Sequence, residues 1–275
     1  MKTLIVIPAR YSSSRFPGKP LAKINGIPML DRVVAQAKEA IPLISSGTTE
    51  YVVATDDDRI CAHCKARSIP YIITSPDLPS GTDRAHAAMQ IHSSDADIIV
   101  NLQGDAPFTP PNHIATVAKA AAEPGYDVAT PFIQLSWEAL DELRNHKIQT
   151  QFSGTTLTCT QSGKALWFSK NIIPAIRNES SIRRSSILSP VRRHVGLYGF
   201  KRKSLEKYIG LDETEYERYE GLEQLRLIEN GMDILCVEVF PSKISAPGID
   251  TPEDLKRAEE LIRKHGDPSN WLDNQ

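Results

Sequence analysis

The start of the chain constrains the possible fold more than any other stretch. Leu4–Ile7 is an apolar run long enough for one buried strand, and it opens into a serine-rich loop that contains Arg10, Arg15, Gly18 and Lys19. Loops at the carboxyl ends of strands hold the ligand in open α/β sheets, and cationic side chains beside a glycine suit the oxygens of a polyphosphate. The sequence therefore predicts a phosphate-binding loop after the first strand. The spacing is not that of a Walker P-loop, and an ordinary solvated basic loop is the alternative interpretation.

Strand-like and helical patterns alternate over the first half of the chain. The predicted strands are Leu4–Ile7, Tyr51–Ala54, Tyr71–Ile73 and Ile98–Leu102, and the predicted helices are Met29–Ala40 and those that follow Asp58, Asp83 and Pro111. Apolar residues at helical spacing and acidic or capping residues at the helix starts support these assignments. A βαβα order predicts an α/β fold with a Rossmann-like, mostly parallel sheet joined by right-handed crossovers.

From about Tyr126 the pattern changes to β segments with a polar loop between them. The segments are Val128–Phe132, Thr155–Thr160, Ala165–Phe168 and Val195–Phe200, and the polar loop is Ser180–Arg193. We interpret residues 126–212 as an inserted antiparallel β lobe that forms one wall of a ligand cleft, within a single α/β domain spanning 1–275. A helix from Thr214 to Asn230, a strand at Ile234–Phe240 and a last helix capped by Thr251 complete the expected order.

Bulk composition limits the classes of partner. The 275 residues carry a net charge of −2, which gives no support for a broad nucleic-acid or membrane surface. No apolar run approaches the roughly 20 residues of a membrane span. Pro8 and Arg10 interrupt the apolar start, unlike a secretory signal. We therefore expect a cytoplasmic protein whose phosphate-binding charge is local.

Two aspartates follow predicted strands and are candidate metal ligands. Asp105 follows the strand at Ile98–Leu102, and Asp250 lies in a similar strand-to-helix turn. Carboxylates hold Mg²⁺ against phosphate oxygens because hard cations take oxygen ligands. The alternative interpretation is that Asp105 forms a turn and that Asp250 caps a helix.

Several motifs together resemble one family. Arg10-Tyr-Ser-Ser-Ser-Arg-Phe-Pro-Gly-Lys-Pro-Leu21 is similar to the opening loop of the 3-deoxy-manno-octulosonate (Kdo) cytidylyltransferases, also called CMP-Kdo synthetases. Further matches, in the family's order, are Ser80-Gly-Thr-Asp-Arg84, Gln103-Gly-Asp105, Arg193-His-Val-Gly-Leu-Tyr198, Leu222-Glu-Gln-Leu-Arg226 and Asp250-Thr-Pro-Glu-Asp-Leu255. The resemblance covers about residues 3 to 262 and implies a fold of the nucleotide-diphospho-sugar transferase type.

The resemblance also implies an activity. It implies Mg²⁺-dependent transfer of CMP from CTP to a 2-keto-3-deoxy sugar acid, Kdo or a Kdo-like sugar, with release of pyrophosphate. The setting would be lipopolysaccharide or surface polysaccharide biosynthesis, and the protein would be a homodimer that uses the inserted lobe as its contact. Any nucleic-acid or membrane partner is unexpected.

The same resemblance implies a role for individual residues. The implied catalytic residues are Lys19, Asp105 and Asp250, of which the two aspartates hold the metal. The nucleotide-binding residues are Arg10, Ser13, Arg15, Lys19, Ala54, Ser80, Arg84 and Gln103, and the sugar-binding residues are Lys170, His194, Tyr198, Glu223 and Gln224.

Four positions depart from the family pattern, and all belong to the sugar side. Ala106 stands where family members have an acid or amide, Lys170 where they have arginine, and Ala175 where they have an aromatic residue. Gln149 replaces a lysine if the family's Val-Lys-Val strand is placed at Ile148-Gln149-Thr150. These departures leave two interpretations open. Either the acceptor is a sugar acid related to Kdo but different from it, or these positions have drifted while Kdo is still the acceptor. Two further alternatives are an acylneuraminate-type nucleotidyltransferase and a non-catalytic homologue that binds nucleotide or sugar.

Overall fold

A computed structural model describes residues 1–12, 15–44, 47–242 and 248–268. The strands are β1 (Lys2–Ala9), β2 (Lys23–Ile24), β3 (Ile27–Pro28), β4 (Thr48–Thr55), β5 (Tyr71–Ile73), β6 (Ile98–Leu102), β7 (Val128–Ser136), β8 (Thr156–Cys159), β9 (Ala165–Ser169), β10 (Leu188–His194), β11 (Leu197–Lys201) and β12 (Ile234–Glu238). The helices are α1 (Met29–Ala40), α2 (Asp58–Ala66), α3 (Gly81–His92), α4 (Pro111–Ala121), α5 (Trp137–Gln149), α6 (Glu179–Ser185), α7 (Arg202–Ile209), α8 (Glu215–Glu220), α9 (Glu223–Glu229) and α10 (Pro252–His265). Short 3-10 turns lie at Lys19–Leu21 and Ile41–Leu43.

The first half of the chain forms the parallel part of a ten-stranded sheet. Strands β5, β4, β1 and β6 lie side by side and run parallel. Leu4–Ile7 in the middle of β1 is fully buried, because helices cover both faces of this part of the sheet. A strand buried on both faces has a continuous apolar sequence, which explains why β1 could be predicted so well. The expected α/β class is confirmed.

The second half adds antiparallel strands to the same sheet. Strand β11 pairs antiparallel with β6 and β7, and β10, β8 and β9 continue the antiparallel pattern. Strand β12 returns parallel to β7. The antiparallel strands are therefore hydrogen-bonded into the central sheet, and the boundaries 126 and 212 of the lobe stay an interpretation.

Three local predictions in this half are wrong. Ser180–Arg193 is not a loop: it contains most of α6 and β10, and the buried side chains of β10 include the small, polar Ser189. The helix predicted for Thr214–Asn230 is two helices, because Gly221 takes a left-handed conformation (φ 61°) between α8 and α9. Ile148-Gln149-Thr150 is not a strand, since α5 continues to Gln149 and the next strand is β8.

Within the described ranges, no helix combines the length and the apolar character needed to cross a membrane.

Candidate active site

The loop after β1 has the conformation expected of a tight basic loop. Gly18 has a φ of 73°, and its backbone N–H donates to the carbonyl oxygen of Tyr11 at 2.9 Å. The ring of Tyr11 lies against Gly18, where a Cβ atom would be 3.0 Å from the ring. Lys19 follows this turn directly, and only 14% of its side chain is exposed. Ser13, predicted to bind nucleotide, lies outside the described residues.

Both candidate metal ligands meet at Lys19. Its Nζ atom is 2.8 Å from Oδ2 of Asp105 and 3.1 Å from Oδ1 of Asp250, and Arg15 reaches the same Asp250 oxygen at 3.2 Å. Burial opposes the charge on Lys19, but the two carboxylates outweigh burial and raise its pKa. The three residues predicted to be catalytic are therefore in direct contact.

Backbone contacts hold the two aspartates in this arrangement. The N–H of Ile249 donates to the carbonyl oxygen of Asp105 at 2.9 Å and so joins the two loops. Gly104 packs against β1 so closely that a Cβ atom there would be 2.3 Å from the carbonyl oxygen of Pro8. Thr251 and Asp254 form a capping box at the start of α10, and the Asp254 carboxylate also accepts from the N–H of Asp250. Asp250 is thus positioned by the cap rather than serving as it.

A buried arginine and a half-buried one lie near each other beside the loop. Arg84 is fully buried and donates to Thr74 Oγ1 and, at 3.2 Å, to Asp56. Burial, with the nearby charge of Arg10, lowers the pKa of Arg84. The Nη2 atom of Arg10 is buried and has no hydrogen-bond partner among the described residues. A buried, unpartnered guanidinium N–H beside a second cation favours an anionic ligand at this place.

The other predicted nucleotide residues surround the same edge of the sheet. Ser80 caps α3 by accepting from the N–H groups of Thr82 and Asp83, each at 3.1 Å. Gln103 follows β6, and its side-chain oxygen is 3.4 Å from where a Cβ atom of Gly81 would lie. Ala54, on β4, is fully buried in the core, so its contact with a nucleotide stays a prediction.

A cavity of about 570 Å³ extends from the two aspartates toward the antiparallel strands. Its lining includes Gln103, Asp105, Asp250, Lys170, Arg193 and His194. The structure thus brings the predicted metal ligands and two of the predicted sugar-binding residues to one space. Arg193 was not predicted as a site residue, although it stands next to His194 in a motif that pointed to this segment.

His194 is held as a neutral imidazole. Its Nε2 atom is 2.8 Å from the hydroxyl oxygen of Thr130, whose proton goes to the carbonyl oxygen of Leu197. The hydroxyl can therefore only accept from His194, which places the imidazole proton on Nε2. Burial first, and the charge of Lys170 second, lower the pKa of His194 to about 3. His194 is consequently a hydrogen-bonding group rather than a cation in this site.

Tyr198, Glu223 and Gln224 form a hydrogen-bonded layer outside the lining of this cavity. The hydroxyl of Tyr198 donates to Oε1 of Gln224 at 3.0 Å, and Glu223 accepts from the Thr82 hydroxyl at 2.7 Å. The Nε2 atom of Gln224 is buried without a partner among the described residues. The tilted ring of Tyr198 lies 5.4 Å from that of His194 and connects the layer to the cavity. Direct sugar contacts by these three residues stay a prediction.

Lys170 reaches the cavity from the end of β9. Its Nζ atom donates to Thr155 Oγ1 at 3.2 Å, and burial lowers its pKa while the carboxylates of Glu220 and Asp250 oppose that shift. Lys147 holds the same strand end, because its ammonium donates to the carbonyl oxygen of Lys170 at 2.6 Å. Neither Lys147 nor Glu220 was identified from the sequence, since their contacts join segments that are distant along the chain.

The departures from the family pattern occupy different places. Ala106 and Lys170 line the cavity. Gln149 is exposed at the end of α5, so the interpretation that it replaces a lysine of the sugar site is wrong. Ala175 is exposed and is not part of the cavity lining.

Together, the fold and site define an α/β nucleotide-binding protein with paired carboxylates at the edge of its basic loop. The sequence profile of the cytidylyltransferase family matches residues 4–234. A 3-deoxy-manno-octulosonate cytidylyltransferase from Maricaulis maris is 42% identical, and the alignment covers 97% of this chain and 99% of that protein. One from Acinetobacter baumannii (strain SDF) is 39% identical, with 94% and 96% covered. The chain belongs to the 3-deoxy-manno-octulosonate cytidylyltransferase family.

Solved structures agree with this assignment. A CMP:2-keto-3-deoxy-manno-octonic acid synthetase, solved in complex with CTP, is 35% identical and superimposes with a TM-score of 0.80. That comparison covers 96% of this chain and 99% of the other. A cytidylyltransferase from Leptospira borgpetersenii is 17% identical over 96% of this chain and 94% of its own, with a TM-score of 0.54, and shares the fold.

Proposed function

We propose that this protein transfers CMP from CTP to Kdo and releases pyrophosphate. The observation that carries the proposal is the contact of Lys19 with both Asp105 and Asp250, beside a cavity that also contains His194 and Lys170. We take Kdo as the sugar because the relatives are named for it, and CTP as the nucleotide because a related structure was solved in complex with CTP. An acceptor in the cavity and a triphosphate on the basic loop would meet at the two aspartates.

The residues act mainly by positioning and by neutralising charge. Arg10, Arg15 and Lys19 bind the triphosphate, and Lys170 binds the carboxylate of the sugar acid. The anomeric oxygen of the sugar forms a bond to the α-phosphorus while the bond from that phosphorus to the bridging oxygen breaks. Pyrophosphate takes the electron pair of the broken bond, and the hydroxyl proton passes to solvent. Fixed cations around the reacting phosphate lower the barrier because they meet the developing charge without reorganising.

The two aspartates suit Mg²⁺. Their carboxylates both contact one ammonium group, so they lie close enough to share a cation. Within the part of the chain that the structure describes, no group of three or more Asp, Glu, His or Cys residues forms a metal-binding cluster. Few protein ligands are typical of Mg²⁺, which keeps waters and phosphate oxygens in its shell. When bound by Asp105 and Asp250, Mg²⁺ would neutralise phosphate charge and increase the acidity of the attacking hydroxyl.

The identity of the acceptor depends on cavity positions that depart from the family pattern. Ala106 and Lys170 differ from the family pattern and line the cavity, so they are placed where a change in the sugar would be sensed. Lysine meets a carboxylate as a point charge, whereas arginine binds it through two parallel bonds. A sugar group left without its partner lowers kcat/KM by orders of magnitude. We place Kdo first, since the relatives are named for it, and a Kdo-like acid second.

Pyrophosphate release measured with CTP and separate acceptors tests both halves. The panel contains Kdo, its 8-amino analogue, other 2-keto-3-deoxy acids and an acylneuraminate, and UTP and ATP replace CTP as controls. We expect the highest kcat/KM with CTP and Kdo. A clear preference for another keto-sugar acid would replace Kdo as the acceptor, and preference for the acylneuraminate would assign the rival specificity. Nucleotide binding without turnover on any acceptor would favour a non-catalytic homologue.

The remaining expectations extend the proposal. We propose a homodimer that uses the antiparallel region, where exposed large apolar side chains include Ile148, Phe152, Leu166 and Ile187. A role in lipopolysaccharide or surface polysaccharide biosynthesis and a cytoplasmic location stay predictions.

A further inference from the structure

A carboxylate outside every sequence motif holds the end of β9. Glu220 is the last residue of α8, and its Oε1 atom accepts from the Ser169 hydroxyl at 2.8 Å. Its Oε2 atom accepts from the backbone N–H of Lys170 at 2.7 Å. Hydrogen bonds to a charged acceptor are among the stronger ones in proteins, so both bonds restrain the residue that enters the cavity.

Glu220 also lies close along the chain to α9, which carries Glu223 and Gln224. Gly221 follows Glu220 in a left-handed conformation, and α9 begins two residues later with Glu223. Glu220 therefore connects the start of α9 to the end of β9.

The charge of Lys170 depends on its surroundings. Burial lowers the pKa of Lys170, and the carboxylates of Glu220 and then Asp250 partly oppose that shift. Lys147 on α5 adds a second ammonium nearby, and the two lysines disfavour each other's charge, as the lowered pKa of Lys147 indicates. His194 on β10 stays neutral and offers no compensation. Carboxylates are thus the groups that oppose the effect of burial on the charge of Lys170.

We infer that Glu220 is a positioning residue for the acceptor: it fixes Lys170 at the cavity and keeps it charged, so that the ammonium binds the carboxylate of the sugar acid. This inference rests on the proposed function. It assigns to Glu220 an effect on the sugar acid, because the hydrogen bonds of its side chain go to Ser169 and Lys170 at the cavity and not to the basic loop that would hold CTP.

Steady-state kinetics of Glu220→Gln test the inference. The neutral amide has a single acceptor oxygen and no charge, so the charge-assisted bonds at Ser169 and Lys170 are weakened, and we expect the KM for Kdo to rise about tenfold, with kcat and the KM for CTP unchanged. The alkaline limb of kcat/KM for Kdo moves to lower pH by roughly one unit, because a charge that supports Lys170 is gone. Glu215→Gln, on the same helix and with the same change in net charge, leaves all these constants unchanged.

A double variant separates charge from general damage. Adding Lys170→Arg to Glu220→Gln removes the alkaline limb, since arginine stays protonated across that range. If Glu220→Gln fails to fold, Ser169→Ala removes one of the two bonds and raises the KM for Kdo less. If the wild-type protein turns over Kdo, then unchanged kinetics of Glu220→Gln, or equal rises in its KM for CTP and for Kdo, would overturn this inference and leave the proposed function standing. A wild-type protein without turnover on Kdo instead overturns the proposed function, and the inference with it.

Discussion

At the scale of single residues, the site is a set of charges that compensate each other across long stretches of chain. Lys19 pairs with Asp105, 86 residues away, and with Asp250, 231 residues away. Its ammonium occupies the place where the two carboxylates converge. Removing any one member leaves the charge of the others uncompensated.

Lys19→Ala is expected to lower kcat by about 100-fold to 1,000-fold, because a fixed cation aimed at transition-state charge is worth that much. Pyrophosphate release with CTP and Kdo measures the change, and thermal unfolding checks that the fold remains. Lys65→Ala, an exposed lysine on α2, serves as the control with the same loss of charge. Near-normal turnover of Lys19→Ala would remove the residue from the catalytic set.

Asp105→Asn and Asp250→Asn are each expected to abolish Mg²⁺-dependent turnover while the protein stays folded. The amide keeps the size of the side chain and loses the charge that holds a hard cation. Turnover is titrated with Mg²⁺, and circular dichroism monitors the fold. Asp77→Asn, on an exposed turn, is the matched control. Wild-type activity of either variant at limiting Mg²⁺ would show that its carboxylate has a structural role only.

The half-buried imidazole of His194 predicts a dependence of stability on pH. Its pKa is about 3 in the folded protein and about 6.5 in an unfolded chain. Between these values the unfolded state binds the proton and the folded state does not, so stability is complete above about pH 6.5 and falls as the pH drops toward 3. Urea unfolding between about pH 7 and pH 5 should show a steeper loss for wild type than for His194→Gln. Equal slopes would contradict the assignment of a neutral His194.

At the scale of elements, helices and strands with regular apolar periodicity were predicted well, whereas the break between α8 and α9 and the strand β10 were not. Helix α1 spans Met29–Ala40 in both prediction and structure because one apolar face and a following turn define it locally. The break at Gly221 went unrecognised, since an isolated glycine in a helical pattern is also tolerated. Strand β10 went unrecognised because its core-facing side chains include a serine. These errors lie where tertiary contacts, rather than local periodicity, select the backbone conformation.

The close approach of Gly104 to β1 gives a test at this scale. A Cβ atom at Gly104 would be 2.3 Å from a backbone oxygen, so Gly104→Ala must displace the loop that carries Asp105. We expect the free energy of unfolding to fall by about 1–3 kcal/mol and kcat to fall by about 100-fold, since such a shift misplaces a catalytic group. Gly210→Ala, where the nearest atom is at 3.5 Å, should change neither. Unchanged kcat for Gly104→Ala would show that the loop tolerates movement.

At the scale of the whole molecule, one sheet joins the basic loop to the antiparallel strands beside the cavity. The parallel strands end in the basic loop and the loop of Asp105, and the antiparallel strands carry Lys170 and His194. The proposed dimer would add a further level, with the antiparallel region as its contact.

Ile187→Asp tests the dimer. The side chain is 85% exposed, and a buried carboxylate in an apolar contact is costly, so the variant should shift the protein from dimer to monomer in analytical ultracentrifugation. Ile73→Asp, an exposed position on the strand at the opposite edge of the sheet, should leave the dimer intact. A wild-type monomer, or a dimer sensitive only to Ile73→Asp, would refute the proposed contact.

The sequence by itself determined the α/β class, the basic loop and the family, because these depend on local apolar periodicity and on motifs that are short along the chain. It also identified Lys19, Asp105 and Asp250 separately, by residue type and by their positions beside predicted strands. Only the tertiary structure decided that these three groups touch, that His194 is a neutral imidazole bonded to Thr130, and that Glu220 and Lys147 hold Lys170. The physical reason is that burial and charge pairing arise between segments distant along the chain, and no local pattern records which distant segments the sheet brings together.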